Sequence, residues 1–419
     1  MKILLLTQYF PPEIGAAAER LSSLARFLSK RCDLTVLAPV PSYPFDKIIS
    51  GYKGSDQRES KHGYSLVRCY KRPKHKNPLI RLFGELLYAF NCLRHILHMP
   101  KCDLVIVSTP SFFLGLTALI LRNMSSIEFI LDIRDLYPAS IHQAGMLQDG
   151  QILRLLQRIE QKVYQQAKIV SVVNPDWTNH IKLHAEKVVS VPNGVDLLTF
   201  LGVNELPANF TSEQEDLLNK YLAIVYVGNL GTFYDFTPFL QAAKVLAADG
   251  DQRFKFIFIG EGTQRPKLEH EVKSGGLRNV HFWQPVPNEF LAAILKRCLV
   301  GVAAWRTNVE FLKNSVPNKI YEYLAADLDV IACLPGALPD YLTKSNKVFA
   351  LEISDVAGIL DRLKKIASIT KRKKTPDNVL RLISREHHFD LLWNQISNEP
   401  SNPNALAETF HKVNATDLN

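Results

Sequence analysis

The sequence predicts an α/β protein built from two doubly wound domains. Three observations carry this. Apolar, strand-like runs alternate with helix-period segments through the first half of the chain. The turn-rich segment Pro192-Asn193-Gly194-Val195-Asp196 then interrupts the pattern. After a polar stretch the same alternation restarts. Such alternation favours a parallel sheet covered on both faces. Two in succession imply two domains facing a cleft, which 419 residues accommodate.

In chain order, residues 3–7, 34–38, 64–70, 104–108, 128–133, 169–173 and 188–191 read as strands, because they are short apolar runs rich in Val, Ile and Leu. Residues 16–29, 78–98, 112–122 and 153–167 carry helical periodicity between them. Residues 201–218 are polar and partly acidic, and fit a linker or a helical excursion. In the second half, residues 223–227, 254–259, 280–283, 300–304 and 330–333 read as strands. Residues 237–247, 265–274, 289–296 and 319–326 read as helices. The domains expected are 1–196, 197–380 and a terminal segment 381–419 that ends in a polar tail.

The 47% hydrophobic and 22% charged content suits a globular protein with a large core. The net charge of +9 is uneven. Lys71, Arg72, Lys74, His75, Lys76 and Arg81 crowd one stretch, and Lys371-Arg372-Lys373-Lys374 forms another. Within residues 71–101 the basic start leads into Leu79, Ile80, Leu82, Phe83, Leu86, Leu87, Tyr88 and Phe90. That mixture fits either contact with an anionic membrane or a core-facing helix with a solvated basic start. No nucleic-acid motif accompanies the charge. The six cysteines form no Cys-x-x-Cys and have no histidine cluster beside them, so buried thiols are expected and a zinc site is not. The apolar start 1–7 is short and meets Pro11-Pro12 at once, so it reads as a strand and not an export signal. The apolar stretch 104–121 is broken by Ser108-Thr109-Pro110 and divides into a strand and a helix. A cytoplasmic protein without cofactor follows, peripheral at most on the inner face of the cytoplasmic membrane.

The most informative segment is Val316-Pro317-Asn318-Lys319-Ile320-Tyr321-Glu322. Pro317 suits a helix start. Lys319 and Glu322, three apart, share a helix face beside free amides and the positive end of the dipole. A diphosphate on Lys319 and a ribose on Glu322 fit that arrangement; an ordinary surface Lys–Glu pair is the alternative. Three glycine features follow strands: Gly15 before a helix, Gly228-Asn229-Leu230-Gly231, and Gly260-Glu261-Gly262. Each could be only a tight turn, but ligands bind at the ends of parallel strands. Asp132-Ile133-Arg134-Asp135-Leu136-Tyr137-Pro138 also follows a strand, where Asp132, Arg134 and Asp135 would position a sugar or an acceptor hydroxyl, or form a local salt bridge. His142 fits either role.

Taken in order, these motifs resemble the family-four retaining glycosyltransferases of the GT-B fold over nearly all of residues 1–395. The likeness runs from Phe10-Pro11-Pro12-Glu13-Ile14-Gly15 through Asp135-Leu136-Tyr137-Pro138 to Pro317-Asn318-Lys319 and Glu322. The branch most similar is the fucosamine-transferase-like group of bacterial surface polysaccharide synthesis. The resemblance implies two Rossmann-like domains, with a nucleotide-sugar donor held mainly by the C-terminal one. It implies a saccharide or lipid-linked acceptor on the N-terminal domain, a last helix returning to that domain, and no metal. By the same resemblance, Gly15 and Lys319 face the donor diphosphate and Glu322 the ribose; Asp132, Arg134 and Asp135 are expected to line the sugar or acceptor side. Departures from the family pattern are Asn314 for the first glutamate of Glu-x7-Glu, Arg134 for a histidine, and Asp327 for a small glycine. The loop Thr232-Phe233-Tyr234-Asp235 also lacks a cation, for which Arg306, Lys313 or Arg265 would substitute. Two alternatives stay open: a nucleotide-sugar epimerase of the same fold, and a weakened nucleotide-binding scaffold subunit.

Overall fold

The computed structural model describes residues 1–397 apart from 14, 43–46, 62, 74–76, 110, 144–146, 203, 308–311, 314 and 370–371. The expected polar tail, Lys74, His75, Lys76, Lys371 and Asn314 therefore lie outside the described residues. The chain forms two compact units. Among the described residues the first comprises Met1–Asn193 and His388–Ser397, the second Gly194–His387.

The first unit runs β1 (Lys2–Leu6), α1 (Ala16–Ser29), β2 (Asp33–Pro39), β3 (Gln57–Lys61), β4 (Tyr64–Cys69), α2 (Pro78–Leu97), β5 (Leu104–Ser108) and α3 (Phe112–Ser125). It continues with β6 (Glu128–Ile133), α4 (Ala139–Gln143), α5 (Gln151–Gln166), β7 (Ile169–Val172), α6 (Trp177–Ile181) and β8 (Val188–Ser190). The strand order is β3-β4-β2-β1-β5-β6-β7-β8. Every pairing is parallel except β3 with β4. The sequence 104–121 thus divides into β5 and α3, as its broken apolar pattern predicts.

Strand alternation sorts the core into two layers. Leu4, Leu6, Val105, Val107, Leu131 and Ile133 pack with residues of α2, α3 and α5. Ile3, Leu5, Leu104, Ile106 and Ile130 pack with α1 and with Phe389, Leu392 and Ile396. β1 lies between β2 and β5, so the chain turns to opposite faces after β1 and β5. A crevice opens at the strand ends at such a switch point.

The second unit runs α7 (Leu197–Leu201), α8 (Ser212–Lys220), β9 (Leu222–Val227), α9 (Thr237–Ala248), β10 (Phe254–Ile259), α10 (Arg265–Ser274), β11 (Val280–Trp283), α11 (Asn288–Leu295) and β12 (Val300–Ala304). Then follow α12 (Asn318–Ala325), β13 (Asp329–Cys333), α13 (Asp340–Thr343), β14 (Val348–Ala350), α14 (Val356–Ala367) and α15 (Asp377–Ile383); α16 (Arg385–Ser397) begins in this unit and from His388 belongs to the first. Its order, β11-β10-β9-β12-β13-β14, puts the switch point between β9 and β12. The polar stretch after residue 201 resolves into α8. A capping box starts it, in which Gln214 N–H donates to Thr211 Oγ1 (3.2 Å) and Thr211 N–H to Gln214 Oε1 (2.9 Å). The six cysteines are unpaired, and Cys69, Cys92, Cys298 and Cys333 are buried.

In α5, burial pushes the Glu160 carboxyl up to about 7, against a hydrogen bond donated by Tyr164 Oη at 2.5 Å. A carboxyl whose pKa rises on folding loses stability as pH climbs from its unfolded value, here 4.5, to the folded one, and the full penalty stands above pH 7. Glu160→Gln is therefore expected to raise the melting temperature at pH 8 and to lose that advantage towards pH 4.5. A gain independent of pH would contradict this.

Candidate functional site

In the second unit three loops meet beyond the strand ends. After β9 the chain enters Gly228-Asn229-Leu230-Gly231, and after β10 it enters Gly260-Glu261-Gly262. The two loops interlock: Gly228 N–H donates to Ile259 O (2.9 Å), Leu230 N–H to Glu261 O (2.8 Å) and Gln264 N–H to Leu230 O (2.9 Å). A Cβ at Gly260 would stand 2.0 Å from Gly228 O, and one at Gly262 would stand 2.3 Å from Leu230 C. Both glycines also have φ values in the region side chains avoid, +142° and +158°. The glycines thus let two backbones approach. The Asn229 side chain lies over Gly231 and Gly262, and the Asn229 main-chain carbonyl accepts from Tyr226 Oη (2.7 Å).

Arg265 locks this loop pair from below. Its Nη1 donates to Gly260 O (2.7 Å), Glu261 Oε1 (2.7 Å) and Trp283 O (3.1 Å), and its Nε to Glu269 (2.7 Å). The expectation that Arg265 stands in for a missing loop cation therefore fails, since its guanidinium is buried and its donors are occupied.

Helix α12 brings Lys319 to these loops. The lysine is 8% exposed, and its Nζ sits 5.0 Å from the Tyr226 ring centre and 4.9 Å from that of Tyr234. A Cβ on Gly228 would lie 3.6 Å from Nζ. Among the described residues no carboxylate lies within ion-pair distance of Nζ. Burial alone would raise the Tyr234 phenol. The Lys319 charge, with hydrogen bonds involving Trp305, Tyr226 and Lys319, outweighs that and holds it below the usual tyrosine range. Lys319 is thus a nearly buried cation, supported by aromatic faces and hydroxyls, at the start of a helix. Glu322 follows one turn on and is half-buried. Tyr323 anchors the helix: its Oη accepts Val227 N–H (3.0 Å) and donates to Val302 O (3.3 Å).

The tyrosines 226, 234 and 323 were not expected from the sequence; the aromatic residue in the cation-poor loop was the available signal. That loop gains a cation from its neighbour. Arg306 N–H donates to Phe233 O (2.9 Å) and its exposed guanidinium to Tyr234 O (3.4 Å). Lys313 is exposed, further along the same connection. Asp327, where the family pattern has glycine, takes φ 61° at the end of α12. Its Oδ1 accepts Thr375 N–H (2.6 Å), so a short polar side chain fills a glycine position.

In the first unit, Gly15 precedes α1, and its carbonyl accepts Glu19 N–H (3.1 Å). Asp132 departs from its expected role. It has no exposed surface, and its Oδ1 accepts from Arg20 Nη2 (3.1 Å) and Ser171 Oγ (2.9 Å), its Oδ2 from Ser108 Oγ (3.1 Å). Asp132 shares strand parity with Ile130, which directs its carboxylate into the α1 layer and away from any substrate. Arg134 and Asp135 are half-buried just beyond β6. Burial lowers the Arg134 guanidinium below the usual arginine range, countered by Asp132. Burial raises the Asp135 carboxyl, against hydrogen bonds from Ser140 and the Leu136 amide. His142 is engaged locally with Leu147 O (2.8 Å) and Asp149 (3.5 Å).

Comparisons with known proteins place names on both units. Residues 15–194 match the glycosyl transferase 4-like domain, and residues 222–368 match the glycosyl transferases group 1 domain. A colanic acid biosynthesis glycosyl transferase, WcaI, of Escherichia coli (strain K12) is 23% identical over 71% of this chain and 74% of its own. The glycosyltransferase WbjE of Pseudomonas aeruginosa is 22% identical over 64% of this chain and 66% of its own. Among solved structures, α,α-trehalose-phosphate synthase (UDP-forming) from Burkholderia xenovorans, in complex with glucose-6-phosphate, has a TM-score of 0.69 at 12% identity, covering 94% of this chain and 99% of that one. Trehalose-6-phosphate synthase of E. coli, bound with UDP-2-fluoro glucose, has a TM-score of 0.67 at 11% identity, covering 96% and 100%. At such identities these structures speak for the fold alone.

Proposed function

With a glycosyl transferase 4-like domain ahead of a group 1 domain, the chain is a glycosyltransferase of the GT-B fold, and we propose that it moves a sugar, with retention, from a nucleotide-sugar donor to a saccharide on a lipid-linked carrier in surface polysaccharide or glycolipid synthesis. The observation that carries the donor assignment is Lys319, a nearly buried cation without a carboxylate partner among the described residues, at the start of α12. Lys319 and the first amides of α12 would hold the diphosphate, with Gly228 allowing close approach and Glu322 accepting from the ribose. Arg306 would add charge at the loop that lacks its own cation, which answers the sequence feature that favoured a scaffold subunit. In the reaction the bond between the anomeric carbon and the phosphate oxygen breaks, and the acceptor oxygen takes its place on the same face. The acceptor proton passes to the departing phosphate. Cationic side chains and the helix dipole would stabilise that leaving charge without a metal. The relative named for colanic acid biosynthesis supports the polysaccharide setting.

A panel of nucleotide sugars against thermal stability tests the reading, since a ligand of the native state raises the melting temperature by mass action. One nucleotide class should stabilise the protein and, with acceptor, release its nucleoside diphosphate. No shift with any member at millimolar concentration would count decisively against a transferase.

The acceptor side includes a surface suited to lipid. Helix α2 turns Tyr88, Ala89, Cys92 and Ile96 into the core. Its opposite face leaves Leu82, Phe83, Leu86 and Phe90 exposed, Phe83 at 57% and Phe90 at 63%. The core-facing alternative thus describes one face of this helix, and the other face is exposed. Arg72, Arg81 and Arg94 are exposed nearby. No helix among the described residues is long and apolar enough to cross a membrane. An apolar strip flanked by cations supports contact with an anionic bilayer surface. The wild type should sediment with phosphatidylglycerol-containing vesicles, and the double variant Phe83→Ser, Phe90→Ser should do so several-fold less. Equal sedimentation of the two proteins would remove α2 from the membrane.

A further inference from the structure

We propose that the ends of β5 and β6 form an oxyanion site, in which Arg134, Ser111 and the first amides of α3 hold the carboxylate or phosphoryl group of an acidic acceptor. The word acceptor rests on the reading above; the anion site rests on the side chains themselves.

The placement follows from the sheet. Ser108 pairs with Asp132 across β5 and β6, so Ser111 and Arg134 leave neighbouring strands three and two residues beyond that pair. Thr109 ties the two departing segments: its Oγ1 accepts Arg134 N–H at 3.1 Å, and its own N–H donates to Asp132 O at 2.9 Å.

Among the described residues Arg134 has no carboxylate within ion-pair distance. Tyr9, Arg20, Asp132 and Asp135 are the charged or titratable groups that act on it. Asp132, the nearest candidate to neutralise it, is already bound to Arg20 and two serine hydroxyls. Asp135 is engaged with Ser140 and the Leu136 amide. Among the described residues the Arg134 guanidinium forms no hydrogen bond or ion pair; its one bond is through the backbone. Two guanidiniums therefore share one internal carboxylate, and burial makes the excess charge unfavourable until an anion joins it.

Ser111 is an independent observation. It is 4% exposed, yet its Oγ has no hydrogen-bond partner among the described residues. A buried hydroxyl without a partner is uncommon and calls for an explanation. Ser111 is also the residue before α3, a helix of 14 residues, and its side chain does not cap that helix. The first amides of α3 are left for another acceptor atom. The ring of Phe112, 5.5 Å from that of Tyr137, walls the helix start. Among the described residues a guanidinium, a hydroxyl and a helix start lack an acceptor at these adjoining strand ends, and a single oxyanion held between them would serve all three.

The test measures equilibrium binding of glucuronate, glucose 6-phosphate and glucose to the full chain by calorimetry. The proteins are wild type, Arg134→Gln, Ser111→Ala and Lys319→Ala. At least one acid should bind more tightly than glucose. Arg134→Gln should weaken it by about ten- to a hundredfold, the span of a charged hydrogen bond. Ser111→Ala should weaken it several-fold; it removes a hydroxyl bonded to nothing in the protein, so it tests the site even if Arg134→Gln melts. Lys319→Ala should bind the acid as wild type does. Preference for glucuronate assigns a carboxylate, and preference for glucose 6-phosphate a phosphoryl group. Acids that bind no better than glucose, or binding lost in Lys319→Ala and kept in Arg134→Gln and Ser111→Ala, would overturn the site. That result with nucleotide-sugar binding intact would leave the transferase reading standing. Acid binding by a protein that never releases nucleoside diphosphate would do the reverse.

Discussion

Lys319→Ala is expected to lower turnover by roughly a hundred- to a thousandfold, the usual effect of deleting one donor aimed at developing charge. It should also remove the stabilisation given by the nucleotide sugar. The fold should survive, because the Nζ contacts are with the faces of Tyr226 and Tyr234 and Tyr323 anchors α12 independently. A ligand-free readout accompanies the kinetics. Lys319 is the leading influence that lowers the Tyr234 phenol against its burial. Without that charge, Tyr234 should ionise at a higher pH in an ultraviolet titration. A variant with the shifted phenol and wild-type turnover would show that Lys319 is seated as described but plays no part in the chemistry. A variant with neither change would contradict the geometry itself.

The strands and helices were legible because buried parallel strands are apolar runs and helices carry a longer period. Several elements were not read, among them β14, α14 and β3; in β3, Gln57-Arg58-Glu59-Ser60-Lys61 has no apolar face, and its charges suit an exposed antiparallel edge. The capping box of α8 was present as Thr211 and Gln214, but a polar stretch after a turn reads more readily as a linker. Side-chain placements were legible where local geometry decides, as for Lys319 and Glu322 on one helix. They were not legible where distant partners decide. Arg265 reads as a spare cation until Gly260 O and Trp283 O are seen around it. Tyr234 reads as a missing charge until Lys319, 85 positions later, rests on its ring. Arg134 reads as one side of a salt bridge until Asp132 is found bound to Arg20.

That last pair makes the other large prediction. Asp132→Ala is expected to destabilise the first unit by about 3–5 kcal/mol, because it leaves the Arg20 guanidinium buried without its carboxylate. Both side chains are 1% exposed and 3.1 Å apart, and Arg20 also donates to Pro192 O (2.9 Å) and Val191 O (3.0 Å). The bond therefore ties α1 to β5, β6, β7 and the chain after β8. The loss should appear as a melting temperature lower by on the order of 10 °C. Replacing both partners with apolar residues, Arg20→Met with Asp132→Leu, should recover much of it, since the Arg20 charge is then removed together with its carboxylate. Turnover per folded molecule should fall far less than in Lys319→Ala. If Asp132→Ala instead melted like wild type and lost its turnover, the carboxylate would belong with the reacting groups after all, and the internal network around Arg20 would be incidental.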